Sequence, residues 1–243
     1  MHQSYIPTEV LDRVAWMRGG HHKIIVDPAR TAHVVVDLQV GFMGEGALLE
    51  IPIARGIVEN VNRVSRALRS AEGTIAYVQY KFDPDEPHHW GSHYGRMTPD
   101  AVERMRAAFT VGAEQHALWS GLDVQPEDLI VPKTRWSAFI PGTCDLDSLL
   151  KARGIDTLII TGTTTNCSCE STMRDAMQMG YHVLFVQDGN ATRGDAVHNA
   201  SLANMLLFGD VVTADEAIAR IEAGRHSEAA RRSAAPNQKT RQT

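Results

Sequence analysis

The chain predicts an α/β fold, a three-layer α-β-α sandwich around a mainly parallel, Rossmann-like sheet of six strands. Apolar, β-branched runs alternate with segments of helical periodicity through most of its 243 residues. The runs read as strands buried on both faces, as strands between two helical layers must be. Residues with reactive side chains also stand where three of these runs end, and open parallel sheets gather ligands at those ends.

Residues 1–30 read as a polar N-terminal extension with a short helix from Thr8 to Met17. Ala32 to Asp37 is the first strand, with a carboxylate at its end. Ile57, Val61, Val64 and Leu68 recur at helical spacing, and Gly73 closes that helix. Thr74 to Tyr80 is the second strand, and a loop rich in His, Pro and Gly runs to about residue 98. A helix from Pro99 to Phe109 precedes the third strand, Leu129 to Pro132. Leu146, Leu149 and Leu150 mark a helix closed by Gly154. Strand four covers 156–161, and its helix begins near Ser168. Strand five is Tyr181 to Val186, followed by a helix from about Asp195. Strand six is Val211-Val212, and the last helix runs from Ala214 to Ala223. One domain over 31–225 follows, with a mobile tail over 226–243 that lacks apolar periodicity.

Composition narrows the function classes. A net charge of −5 with scattered basic residues leaves no nucleic-acid footprint. No apolar run approaches the about 20 residues of a membrane helix. The N-terminus lacks the basic and apolar regions of a signal peptide, and three cysteines make no disulfide framework. The expectation is a cytoplasmic protein in a reducing compartment.

Gly162 to Thr172 is the densest chemistry, a strand end, a tight turn and a helix start. Such a turn exposes a nucleophile and offers backbone N–H groups to an anion. Ser168 holds that position, and the N–H groups of Thr164 and Ser168 are candidate oxyanion donors. The plainer reading of Ser168 is a helix N-cap, a role open also to Thr165 and Asn166. Asp37 suits proton transfer if desolvated, or else caps a turn. Lys133 stabilises negative charge beside a carboxylate, or is an ordinary solvated lysine. His88, His89 and His93 cluster in the long loop without a metal-ligand spacing, so no metal or other cofactor is expected. His89 and Trp90 are expected near the ligand instead. Phe42, Tyr80, Trp136 and Phe139 are expected to wall a small-molecule pocket, or are core aromatics.

Three motifs together resemble the isochorismatase-like cysteine hydrolases. They are Asp37-Leu38-Gln39, Lys133 through Phe139, and Gly162 through Ala176 with Arg174-Asp175-Ala176. The resemblance spans about residues 30 to 220. It implies a Cys/Asp/Lys triad and a cis peptide at Thr163-Thr164. Gln39 and Asn166 are further candidate substrate contacts, and Asn166 could also shape the turn. The resemblance also implies a homodimer or homotetramer, in which residues 1–30 could reach a neighbouring subunit. The family's cysteine falls on Ser168, and a thiol one residue away on a helix would rotate by ~100° and miss the site. The expected activity is cleavage of a C–N bond in a small linear amide or ureido compound, with Ser168 an engineered Cys-to-Ser change. The alternatives are a natural vinyl-ether hydrolase with Asp37 as acid, as in isochorismatases that lack the cysteine, and a silent small-molecule binder.

Overall fold

The computed structural model describes residues 1–20, 23–83 and 90–234. In chain order its elements are α1 (Thr8–Met17), β1 (Thr31–Val36), α2 (Val40–Met43), α3 (Val58–Ser70), β2 (Thr74–Tyr80), α4 (Gly91–Tyr94), α5 (Pro99–Phe109), β3 (Leu129–Lys133), α6 (Leu146–Lys151), β4 (Thr157–Thr163), α7 (Glu170–Gln178), β5 (His182–Ala191), α8 (Asp195–Met205), β6 (Asp210–Val212) and α9 (Ala214–Ala234). The six strands form one sheet in the order β3-β2-β1-β4-β5-β6, and every adjacent pair is parallel. The chain winds outward from β1 to β3 and then restarts beside β1 with β4, so the order reverses between β1 and β4. Ligand crevices open at such reversals.

Side chains alternate across the sheet, so each strand feeds two cores. Val35, Ile159 and Leu184 face Val61, Val64 and Leu68 of α3 and Ile221 of α9. Val34, Val36, Ile160 and Phe185 face Leu146 and Leu150 of α6, Met173 of α7 and Leu202 of α8. A third cluster, which includes Phe42, Tyr80, Phe82, Met105 and Phe109, joins α2 and α5 to the carboxyl end of β2. No helix among the described residues is long and apolar enough to cross a membrane.

The strand expectations hold to within a residue or two except at β5, which continues to Ala191 rather than ending at Val186. Gln187-Asp188-Gly189-Asn190 looks like a turn by composition. The register against β4 shifts between Ile160 and Gly162, and the Asn190 amide donates to the Ile160 and Val186 carbonyls across that irregularity. Gly162 is required there. Its φ is 134°, and an added Cβ would sit 2.1 Å from the Val36 carbonyl oxygen. Strands β1 and β4 therefore approach closely just before both deliver residues to the site.

Of residues 226–243, expected as a mobile tail, 226–234 continue α9, and 235–243 lie outside the described residues. Extending an existing helix needs no new nucleus, and Ala, Glu and Arg favour it without an apolar stripe. Residues 1–6 lie along α8 of the same chain: Tyr5 N–H donates to Asn199, and Asn199 donates to the Gln3 carbonyl.

His33 lies wholly inside the sheet, its ring nitrogens 3.0 Å from Ser65 Oγ and 2.8 Å from Thr161 Oγ1. Burial lowers its pKa from 6.5 to about 3, so it folds neutral. Between those values the unfolded chain binds the extra proton, so stability is full above about pH 6.5 and falls as pH drops toward 3. Urea unfolding across pH 7 to 4 should lose up to ~1.4 kcal/mol per pH unit from this group. His33→Asn should flatten that slope, and an unchanged slope would assign it to other groups.

Candidate active site

The chain leaves β1 by an unusual turn at Asp37. Its φ is 51°, a left-handed conformation that Asp tolerates better than most residues. Its N–H still donates to the Val78 carbonyl at 2.9 Å, and Gln39 N–H closes back on its carbonyl at 2.8 Å. The carboxylate thus stays fixed to the sheet while its side chain turns over the carboxyl edge, 1% exposed.

Lys133 ends β3, two strands away, and is fully buried. Its Nζ donates to Asp37 Oδ2 at 2.7 Å, to the Arg135 carbonyl at 3.0 Å and to Ser168 Oγ at 3.3 Å. All three ammonium hydrogens are used. Burial raises the Asp37 pKa, and Lys133 opposes that shift by charge and hydrogen bond. Asp37 Oδ1 is buried and has no hydrogen-bond partner among the described residues.

Ser168 is 5% exposed and lies in a π-helical turn, Thr165–Cys169, that precedes α7. The helix proper starts at Glu170, so the expected start near Ser168 falls two residues early. Neither the turn nor α7 has a side-chain cap, so Ser168 is not the N-cap that its residue type allowed. The Thr163–Thr164 peptide before the turn is cis.

These residues meet in a cavity of about 200 Å³. Its polar end holds Asp37, Thr164, Cys167 and Ser168. Phe42, Leu49, Ile51, Met97 and Met105 form apolar walls, and Tyr80, His93, Trp136 and Arg193 complete the lining. His93 is packed on Trp90 and Trp136 at centroid distances of 4.3 and 5.2 Å, and burial lowers its pKa.

Of the expected wall residues, Phe42, Tyr80 and Trp136 line the cavity, and four others do not. Gln39 is a tether: its amide donates to the Tyr80 and His116 carbonyls and accepts from Tyr80 N–H, carrying the sheet's hydrogen bonding past β1. Phe139 packs in the core beneath α6 and α7, against Tyr181. Asn166 is exposed and accepts from Thr192 Oγ1 at 2.6 Å. Trp90 sits behind Trp136, at a centroid distance of 5.0 Å, and lines a neighbouring hollow. His88 and His89 lie outside the described residues. Among those described, no three His, Cys, Asp or Glu side chains are gathered as metal ligands.

Cys167 also departs from expectation, since it borders the cavity although it is one residue from Ser168. The one-residue argument assumed α-helical winding, and a π-turn spaces its residues differently. Cys169 is buried, and that burial pushes its thiol pKa well above the usual value. Arg193 was missed because β5 runs five residues beyond its expected end and delivers its loop beside Ser168. The strand-end rule would have found Arg193 had that end been right.

Lys133→Met retains most of the apolar stem but strands a buried carboxylate. It should cost about 3–5 kcal/mol in urea unfolding, and adding Asp37→Asn should recover part of the loss. A single substitution without cost would show that the pair carries no buried charge.

The isochorismatase domain family matches residues 31–216. The ureidoacrylate amidohydrolase RutB of Rhizobium rhizogenes is 30% identical over 221 residues, which cover 85% of this chain and 89% of its own. The RutB of Variovorax paradoxus is 33% identical over 202 residues, 76% of this chain and 79% of its own. Among solved structures, a cysteine hydrolase from Pseudomonas syringae pv. phaseolicola superposes with a TM-score of 0.74 at 31% identity, covering 83% of this chain and 97% of its own. The N-carbamoylsarcosine amidase of Thermoplasma acidophilum has a TM-score of 0.62 at 25% identity, covering 76% and 97%. With its parallel sheet and a match spanning all six strands, the chain belongs to the isochorismatase family.

Proposed function

We propose that the protein is an amidohydrolase that cleaves a C–N bond in a small linear amide or ureido compound, with residue 168 as nucleophile. The observation that carries this reading is the position of Lys133 Nζ, bound to both Asp37 and Ser168 at the polar end of the cavity. Asp37, desolvated and with one oxygen unpartnered, takes the nucleophile's proton. Lys133 keeps the carboxylate in place and steadies the negative charge that forms. The substrate carbonyl then accepts the nucleophile, and the backbone N–H groups of Thr164 and residue 168 hold its oxygen. Protonated Asp37 gives that proton to the leaving nitrogen, the amine or ammonia departs, and the carboxylate then takes a proton from the water that cleaves the acyl-enzyme, restoring the nucleophile.

Two features support a ureido acid as substrate. RutB and the carbamoylsarcosine amidase are both named for such compounds. Arg193 borders the cavity, and an arginine there suits a substrate carboxylate. The cavity's modest size and apolar walls fit a short, compact chain.

A serine hydroxyl is far less acidic than a thiol of pKa ~8.5, so the same Asp37–Lys133 pair activates it poorly. In the reading we favour, Ser168 stands where the working enzyme has a cysteine. Ser168→Cys should therefore raise ammonia release from a panel of ureido acids and amides by about 10²-fold or more, and Asp37→Asn in that background should abolish the gain. Arg193→Met should raise KM about tenfold for carboxylated substrates and little for neutral amides. No ammonia from any panel member, alongside Asp37-dependent cleavage of a vinyl ether, would overturn the assignment.

A further inference from the structure

The first residues of the chain pack against α8 and the loop before it, and they do so with a buried histidine. The His2 side chain is 1% exposed although its neighbours Met1 and Gln3 are exposed. Its Nδ1 lies 2.7 Å from Asp195 Oδ1, at the start of α8. Its Nε2 lies 3.1 Å from the Thr192 backbone nitrogen. A backbone N–H only donates, so Nε2 accepts and Nδ1 carries the proton offered to Asp195.

The His2 ring lies nearly parallel to that of His198, at 4.2 Å and 16°. His198 is fully buried in α8, and its Nδ1 lies 3.0 Å from Thr165 Oγ1, inside the π-turn that carries Ser168. Ser4 Oγ approaches the other His198 nitrogen at 3.5 Å. Thr192, which His2 holds through its backbone, also donates its hydroxyl to Asn166 in the same turn. Arg193 lies between the two residues that His2 binds.

We propose that His2 is a positioning residue of the active site: with His198 it clamps the residue-168 turn to the Thr192–Asp195 segment and so fixes both the nucleophile and Arg193. The role deepens the amidohydrolase reading and rests on its placement of the nucleophile. It makes the N-terminal arm a working part of the site. His2 is not a catalytic residue, because it acts through Thr192 and through the face of His198.

Cys167 offers a test that needs no substrate, since it sits in the clamped turn and borders the cavity. Iodoacetamide labelling of the full chain, read residue by residue by mass spectrometry, should be about tenfold faster at Cys167 in His2→Ala, a factor consistent with a sub-ångström release of the turn. Cys169, buried in the core below, should stay protected. His2→Gln, whose amide can both accept from Thr192 and donate to Asp195, should return the rate close to that of the unsubstituted protein. Asp195→Ala, which removes only the outer anchor, should act in the same direction as His2→Ala. In the Ser168→Cys background, His2→Ala should lower kcat about tenfold, and His2→Gln should recover most of it. Unchanged Cys167 labelling in His2→Ala would overturn the proposal. So would faster labelling of Cys167 and Cys169 together, because that reports a loosened fold rather than a released turn. The labelling stands or falls apart from any amide-hydrolysis result.

Discussion

The site depends on a lysine and an aspartate that share one buried position. Each ion alone would cost several kcal/mol to bury, and together they are tolerated only because the partner and further hydrogen bonds are in place. The sheet supplies that placement. Asp37 follows β1 and Lys133 closes β3, so their side chains must meet across the end of β2. The left-handed turn at Asp37 and the parallel register through all three strands make the meeting possible. A slip of one residue in β3 would turn Lys133 to the other face of the sheet.

The ion pair also divides the cavity into two unlike halves. One end carries the carboxylate, the hydroxyl and residues of the Thr-rich turn, with the Lys133 ammonium buried against them. The other is made by α2, α5 and the segments beside them, through Phe42, Leu49, Ile51 and Met105. A polar end within apolar walls strengthens the charge interactions made there. The cluster of Phe42, Tyr80, Phe82 and Phe109 is a small core, and its Phe42 and Tyr80 also line the cavity.

Two segments far apart in the chain flank the residue-168 turn. The extended β5 delivers Arg193 to the cavity lining, and the N-terminal arm packs on the loop that follows β5. The second link runs through stacked, buried imidazoles. Burial and the neighbouring His2 lower the His198 pKa to about 4, so the His198 ring stays neutral at ordinary pH.

Strand and helix order, the depth of the strands, and the positions of Asp37, Lys133 and Ser168 at strand ends were all legible in the amino-acid sequence. Each rests on local periodicity or on spacing within one segment, and short-range sterics and burial enforce both. What only the tertiary structure decided was which side chains face the cavity. Phe139 and Trp136 are three residues apart in one motif, yet one fills the core and the other lines the site. Gln39 bonds to backbone groups of Tyr80 and His116, and Asn166 accepts from Thr192. Arg193 and His2 become site residues only through the irregular end of β5 and the fold of the arm. Those outcomes depend on contacts between segments distant in sequence, and no local pattern encodes them.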